Sequence, residues 1–416
     1  MSYGASLFPQ RVETPERRLQ NCQSRSLYLH PEVTHDESQG RNVAPVKTQF
    51  KVLITGKLAD TCIEKLSAEP DIEVLYHPEM PREAIIRQIP ECHALVTRSE
   101  TTVDKTIIDA GKKLKVIARA AVGVANIDVD YATERGILVM NTPGKNTNSA
   151  AELAFGLLLA VARNIHEAHN TMSQGGWERH RFTGTELRGK TLGIIGLGNV
   201  GHRMARFGRG FEMQVIACDP YIPDSEFERH RVEKVEFEEL LRRSDIISVH
   251  VPKNKTTINM IDRPQFEQMK RGVIIINAAR GGIVNESALK AALDSGQVAG
   301  AGIDTWETEP PRENLFIGHP RVVMTPHIGA STVEAQFFIG EAIAQELPKA
   351  LRGGIVEAPV NMPQIRMIEG NMMSAYTVLC EKLGIFSAQY IDSPISRIEA
   401  IYRGDITAHD CRLLRL

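Results

Sequence analysis

The chain has 416 residues, enough for two or three domains, and its 42% apolar and 24% charged residues are the proportions of an ordinary globular protein. A net charge of −2 gives no electrostatic footing for nucleic acid or an acidic membrane surface, and the longest apolar run, 153–162, is too short to span a bilayer. Six scattered cysteines without a CxxC pair point to a reducing, cytoplasmic setting, and 13 histidines without metal-ligand spacing give no metal site.

Residues 1–47 are polar, mix both charge signs and show no sustained periodicity. Arg11, Arg17, Arg18 and Arg25 suggest a transit peptide, but Glu13, Glu16, Glu32, Asp36 and Glu37 argue against one, so a disordered extension is expected. From 48 to 143, β-like runs at 51–55, 73–76, 94–97, 116–119 and 138–141 alternate with helical stretches such as 58–69 and 82–88. Such alternation predicts α/β architecture with a parallel, doubly wound sheet. After Pro143-Gly144, residues 148–172 read as one helix that is apolar nearly all round, so it must be buried on several sides, between domains or between subunits. A second alternating unit follows, with runs at 192–195, 214–218, 246–250, 273–276, 299–303 and 322–324. Beyond Ser331 the chain reads helical to about 352, turns at Gly353-Gly354, reads helical again over 366–392 and strand-like over 396–402. The last 55 or so residues are too few to bury a core alone.

Lys190-Thr-Leu-Gly-Ile-Ile-Gly196-Leu-Gly198-Asn-Val-Gly201 places GxGxxG between a strand and a helix. The first glycine permits a tight turn, the second lets a pyrophosphate approach the backbone, and the third packs helix on strand. Alone the pattern is weak among 32 glycines; here the next strand ends at Asp219, an acid placed for ribose hydroxyls and against a 2′-phosphate. Pro220 and Tyr221 follow, with no arginine to greet that phosphate, so NAD is expected over NADP.

Arg280, Glu309 and His327 each lie just past a strand-like run, in Asn277-Ala-Ala-Arg280-Gly-Gly, Asp304-Thr-Trp-Glu-Thr-Glu309-Pro-Pro and Thr325-Pro-His327. Loops at the carboxyl ends of parallel strands open onto one crevice, so residues far apart in sequence can converge there. Singly, each has an ordinary explanation as a loop residue or surface charge. Together they supply an imidazole to take a hydroxyl proton, a carboxylate to orient it and a guanidinium to grip a substrate carboxylate.

Asn277-Ala-Ala-Arg-Gly-Gly-Ile-Val, Asp304-x4-Glu309-Pro-Pro and Thr325-Pro-His327-Ile-Gly-Ala-Ser-Thr resemble the D-2-hydroxyacid dehydrogenase family, and the similarity runs from about Lys51 to Val360. Within it, Trp177-Glu-Arg, Phe182, Glu186-Leu and Asn148-Ser-Ala-Ala-Glu152-Leu resemble the branch that oxidises 3-phosphoglycerate. The resemblance implies a Rossmann NAD domain, 148–331, inserted into a flavodoxin-like substrate domain, 48–147 and 332–360, with 361–416 a partial C-terminal extension. It implies Arg280 for the substrate carboxylate, His327 as acid/base and Glu309 as its partner. It also implies cofactor contacts from Gly196, Gly198, Asn199, Val200, Gly201, Asp219, Ala278, Ala279, Arg280, Asp304, His327, Gly329, Ala330 and Thr101. Arg98, Ser99, Gly123 and Arg280 would face a phosphorylated 2-hydroxy acid, Arg98 at its phosphate or carboxylate end. A homodimer or homotetramer is implied as well.

Two departures bear on the substrate and the ending. Ala121 and Ala125 stand where the family pattern has Gly and Asp, and an added Cβ at 121 narrows the approach to substrate. Val360-Asn-Met-Pro and Glu381-Lys-Leu-Gly resemble the entry to an extra domain of longer forms, which is essentially missing here. A reductase of glyoxylate, hydroxypyruvate or another 2-keto acid, a catalytically idle NAD-sensing protein and a truncated paralogue are the alternatives.

Overall fold

In the computed structural model, residues 50–354, 356–362 and 382–383 are described. The expectations for 1–47, and for a helix at 366–392 and a strand at 396–402, lie outside these residues but for the helical pair Lys382-Leu383. Among the described residues, twelve strands form two wholly parallel sheets. The first holds β1 (Phe50–Ile54), β2 (Ile72–Tyr76), β3 (Ala94–Thr97), β4 (Val116–Arg119) and β5 (Leu138–Met140) in the order β2-β1-β3-β4-β5. The second holds β6 (Thr191–Ile195), β7 (Gln214–Cys218), β8 (Glu233–Lys234), β9 (Ile246–Val249), β10 (Val273–Asn277), β11 (Val298–Ile303) and β12 (Val322–Met324), in the order β12-β11-β10-β9-β6-β7-β8. The first order is flavodoxin-like. The second is the Rossmann order with a seventh strand added, and its direction reverses between β6 and β9.

The strand sequences explain both sheets. β3, β4, β6, β9 and β10 are buried at every position, which a parallel sheet covered by helices on both faces demands. The expected strands appear within a residue or two of their runs. β8 escaped the sequence reading because it is two exposed charged residues pairing only with β7.

Residues 148–172 are not one helix. The chain forms a helix over Thr147–Ala162, turns at Asn164 in the left-handed region (φ 51°), and starts a second helix over Ile165–Ser173. Asparagine tolerates that conformation because its short polar side chain bonds locally, and here Nδ2 donates to Thr183 O at 3.3 Å. The first helix is deeply buried through Ala154, Phe155, Leu157, Leu158 and Val161, whereas the second has no buried residue. Glycines in β11 let the buried helix approach: a Cβ at Gly302 would lie 2.8 Å from Leu157 Cβ, and one at Gly300 would lie 2.7 Å from Val161 Cγ1.

The helix Val333–Leu351 returns the chain to the first sheet. Ile339, Ile343, Leu347 and Leu351 join the core of Val52, Ile54, Leu66, Val96 and Ala118, each contributing about 1.5–3 kcal/mol of burial before entropy is counted. Residues 359–361 then lie along β5, with Val360 N donating to Val139 O at 2.7 Å and Asn361 Oδ1 accepting from Val139 N at 2.8 Å. No helix among the described residues is long and apolar enough to cross a membrane.

Candidate active site

The loops after β10, β11 and β12 come together, as parallel topology requires of neighbouring strands. Asn277, buried at the end of β10, pins the first of them: its Oδ1 accepts from Ala279 N at 3.2 Å and its Nδ2 donates to Arg280 O at 3.1 Å. Gly281 is pressed so closely on the β11 loop that a Cβ there would lie 1.7 Å from Trp306 O. Arg280 Nη1 donates to Ala279 O at 2.6 Å. Its Nη2 reaches the first sheet, 3.1 Å from where a Cβ on Gly123 would stand. Arg280 and Gly123 thus face each other across a cleft between the two sheets. Burial lowers the Arg280 pKa, and the Glu309 carboxylate opposes that shift.

His327 Nδ1 lies 2.8 Å from Glu309 Oε2. A carboxylate only accepts, so Nδ1 donates to it, and in the neutral ring Nε2 is the nitrogen with the lone pair. Burial pushes the Glu309 pKa up, but the bonds from His327 and the Trp306 amide, with the charges of His327 and Arg280, outweigh it and hold the group below its usual value. Both side chains stay open to the cleft, His327 at 43% and Glu309 at 39% exposure.

His327 itself is left-handed (φ 55°), a strained conformation for a residue with a Cβ. Asp304 holds it there. This fully buried carboxylate accepts from Thr325 Oγ1 at 2.6 Å and Ile328 N at 2.8 Å through Oδ1, and from Gly329 N at 3.0 Å through Oδ2. Burial raises its pKa, against the pull of those donors.

The glycine loop lies beside the β6–β9 reversal. Gly196 is left-handed (φ 92°), and a Cβ on Gly201 would lie 2.0 Å from Gly196 O, so the loop and the helix Gly201–Gly210 close on each other without room for a side chain. A Cβ on Gly198 would meet nothing within 4 Å. That open space over the half-buried backbone of Gly198, at a helix N-terminus, fits a dinucleotide pyrophosphate. Asn199 is exposed, its carbonyl accepting from Arg203 Nη1 at 2.8 Å, and Val200 stands at the N-cap position with no side-chain bond to the helix. Asp219, at the end of β7, accepts from Leu197 N at 2.9 Å and Tyr221 N at 3.0 Å, which sets its carboxylate against the same loop.

On the first sheet, Arg98 Nη1 donates to Gln336 Oε1 at 2.6 Å and to Lys57 O at 2.9 Å. Ser99 is exposed beside it. Thr101 is turned inward, its hydroxyl 3.0 Å from that of Thr55. Ala278 and Ala330 are half-buried, and Gly329 is buried in the His327 loop.

Curated relatives decide what this arrangement belongs to. The D-3-phosphoglycerate dehydrogenase of Archaeoglobus fulgidus is 44% identical over 358 residues, 86% of this chain and 68% of that protein. The D-3-phosphoglycerate dehydrogenase of Methanocaldococcus jannaschii is 42% identical over 366 residues, 88% of this chain and 70% of that protein. Residues 155–329 match the family described as D-isomer specific 2-hydroxyacid dehydrogenase, NAD binding domain. The chain belongs to the D-isomer specific 2-hydroxyacid dehydrogenases. Among solved structures, a glyoxylate reductase from Paecilomyes thermophila matches with a TM-score of 0.68 and 32% identity, covering 75% of this chain and 98% of that one.

Three side chains of this dehydrogenase's cleft escaped the sequence reading. Arg119 closes β4 and is only 6% exposed. Its Nε donates to Gly123 O at 3.0 Å, its Nη2 donates to Ser99 Oγ at 3.2 Å, and its Nη1 is buried without a partner. Burial, then the charges of Arg98 and Arg280, pull its pKa down to about 10, with Glu100 opposing. Asn126 donates to Arg98 O at 2.9 Å and Thr101 O at 2.5 Å, stapling two loops together. Gln336 is the third. A cation ending an all-apolar strand was the available signal for Arg119; the other two have none, because their partners lie far away in sequence.

Proposed function

We propose that this dehydrogenase oxidises 3-phospho-D-glycerate to 3-phosphohydroxypyruvate with NAD, a step that commits carbon to serine synthesis. The dehydrogenase class rests on family membership and the cofactor on the matched NAD-binding domain. The observation that carries the substrate is an excess of guanidinium. Burial lowers the Arg119 pKa, the nearby charges of Arg98 and Arg280 add to that shift, and the buried Nη1 of Arg119 has no partner. Such a cluster favours an anion of more than one charge beside it. A carboxylate at Arg280 and a phosphate toward Arg98 and Arg119 meet that need.

Arg280 holds the substrate carboxylate and so fixes C2 before His327. The Nε2 lone pair of His327 takes the C2 hydroxyl proton, while Glu309 keeps the ring in its tautomer and stabilises the imidazolium that forms. NAD, when bound, accepts the hydride lost from C2. Gly196, Gly198 and Gly201 would cradle its pyrophosphate, and Asp219, held against that loop by Leu197 N, would accept from its adenine-ribose hydroxyls. Asn199 and Val200 lie in the same loop, and Ala278, Ala279 and Ala330, on the loops after β10 and β12, would complete the cofactor contacts, while Asp304 and Gly329 act by shaping the His327 loop.

Residues 148–331 form the cofactor domain in this reading, and 48–147 with 332–360 the substrate domain. The exposed Ile165 and Met172, at 53% and 54%, and Trp177, at 72%, support assembly as a homodimer or larger. The cysteine pattern supports a cytoplasmic setting.

Purified protein assayed against D-2-hydroxy acids with NAD and NADP tests the reading. 3-Phosphoglycerate with NAD should give the highest kcat/KM. Preference for an unphosphorylated acid overturns the substrate.

A further inference from the structure

The helix Val333–Leu351 carries one side chain that touches both ends of the cleft. Gln336 Oε1 accepts from Arg98 Nη1 at 2.6 Å, and Gln336 Nε2 donates to Ala330 O at 2.7 Å. Arg98 lies just past β3, in the first sheet. Ala330 closes the loop that carries His327, whose Ile328 and Gly329 amides Asp304 already grips. A primary amide offers an acceptor and two donors on one planar end, so it receives a guanidinium and gives to a carbonyl at the same time. A carboxylate at this position has no proton for Ala330 O, and it would neutralise Arg98.

We propose that Gln336 is a positioning residue that couples the anion-gripping end of the cleft to the proton-transfer end, holding Arg98 and the His327 loop in one register. The coupling rests on the phosphorylated-substrate reading, since Arg98 enters through the phosphate. Both bonds that hold Arg98 run through Nη1, to Gln336 and to Lys57 O, so the clamp does not use the Nη2 edge. Because the clamping acceptor is neutral, the guanidinium keeps its full charge for the substrate. When a phosphate draws Arg98, the same amide carries the displacement to Ala330 and to the imidazole three residues before it.

The test is steady-state kinetics of the full chain with NAD and 3-phosphoglycerate for wild type, Gln336→Met, Gln336→Glu, Arg98→Met and the double variant Arg98→Met/Gln336→Met. Methionine keeps the length and loses both hydrogen bonds. Gln336→Met should raise KM about tenfold, the usual scale for a charge-assisted hydrogen bond, and lower kcat several-fold. Gln336→Glu should raise KM further, because its carboxylate sequesters Arg98. In the Arg98→Met background, adding Gln336→Met should lower kcat as before and leave KM where Arg98→Met had put it. A filler role would lower the folded fraction without that non-additivity. Unchanged KM in Gln336→Met, or additive KM effects in the double variant, overturns the coupling. If wild type does not turn over 3-phosphoglycerate, the substrate reading fails instead. The same set is then run with the D-2-hydroxy acid it does oxidise, where an unchanged kcat in Gln336→Met overturns the coupling.

Discussion

On the seven-stranded side of the cleft the main chain does most of the holding, whereas on the five-stranded side long side chains do it. The amides of Leu197 and Tyr221 fix Asp219, and those of Ile328 and Gly329 close on Asp304. Opposite them, the Gly123 carbonyl and Ser99 hydroxyl are held by Arg119, two loops are stapled by Asn126, and Arg98 is anchored on Gln336. A cofactor shared by many enzymes meets a backbone-built cradle that tolerates few changes. The substrate meets charged side chains whose replacement changes which acid fits. If the contrast is right, substitutions on the two sides should fail in different ways.

The largest effect separating the sides should come from Gly198→Val. A Cβ there would meet no atom within 4 Å, so the melting temperature should hold while NAD affinity falls by about 100-fold, roughly 2.7 kcal/mol. Calorimetric titration with NAD checks it. Loss of the fold instead would show that Gly198 serves packing and not the cofactor.

Arg119→Lys should act on the other side alone. An ammonium group cannot bond both Gly123 O and Ser99 Oγ and still present a donor at the place of Nη1. KM for 3-phosphoglycerate should rise about tenfold, about 1.4 kcal/mol, with NAD affinity unchanged. A matching loss of NAD affinity would break the division between the two walls.

The same contrast explains what was legible in the sequence. GxGxxG, Asp219 and the three strand-end residues are local signals, because parallel topology alone brings strand ends together. Arg98 was legible only through its motif, and its partner Gln336 sits a whole domain away in the chain. The break at Asn164 was missed because apolar periodicity resumes after a single left-handed residue. β8 was missed because two charged residues pair there without an apolar face.

The smallest effect concerns acid stability. Glu309 has its folded-state pKa held below the ordinary 4.5, so its contribution is present above that value and is lost as pH falls through the lower, folded-state one. Glu309→Gln should therefore lose less thermal stability than wild type as pH drops from about 5 to about 3, with only a small difference because the group is partly exposed. Parallel acid profiles would remove Glu309 from the stabilising set.

The most direct test compares kcat/KM for 3-phosphoglycerate with that for D-glycerate, which lacks only the phosphate, in wild type and in Arg98→Met. The guanidinium cluster predicts a wild-type preference for the phosphorylated acid of about 100-fold or more, roughly 2.7 kcal/mol. In Arg98→Met that preference should shrink at least about tenfold through loss of 3-phosphoglycerate activity, while D-glycerate is oxidised about as before. A wild-type ratio near one, or an equal loss on both acids, would contradict the substrate-gripping role assigned to the five-stranded side.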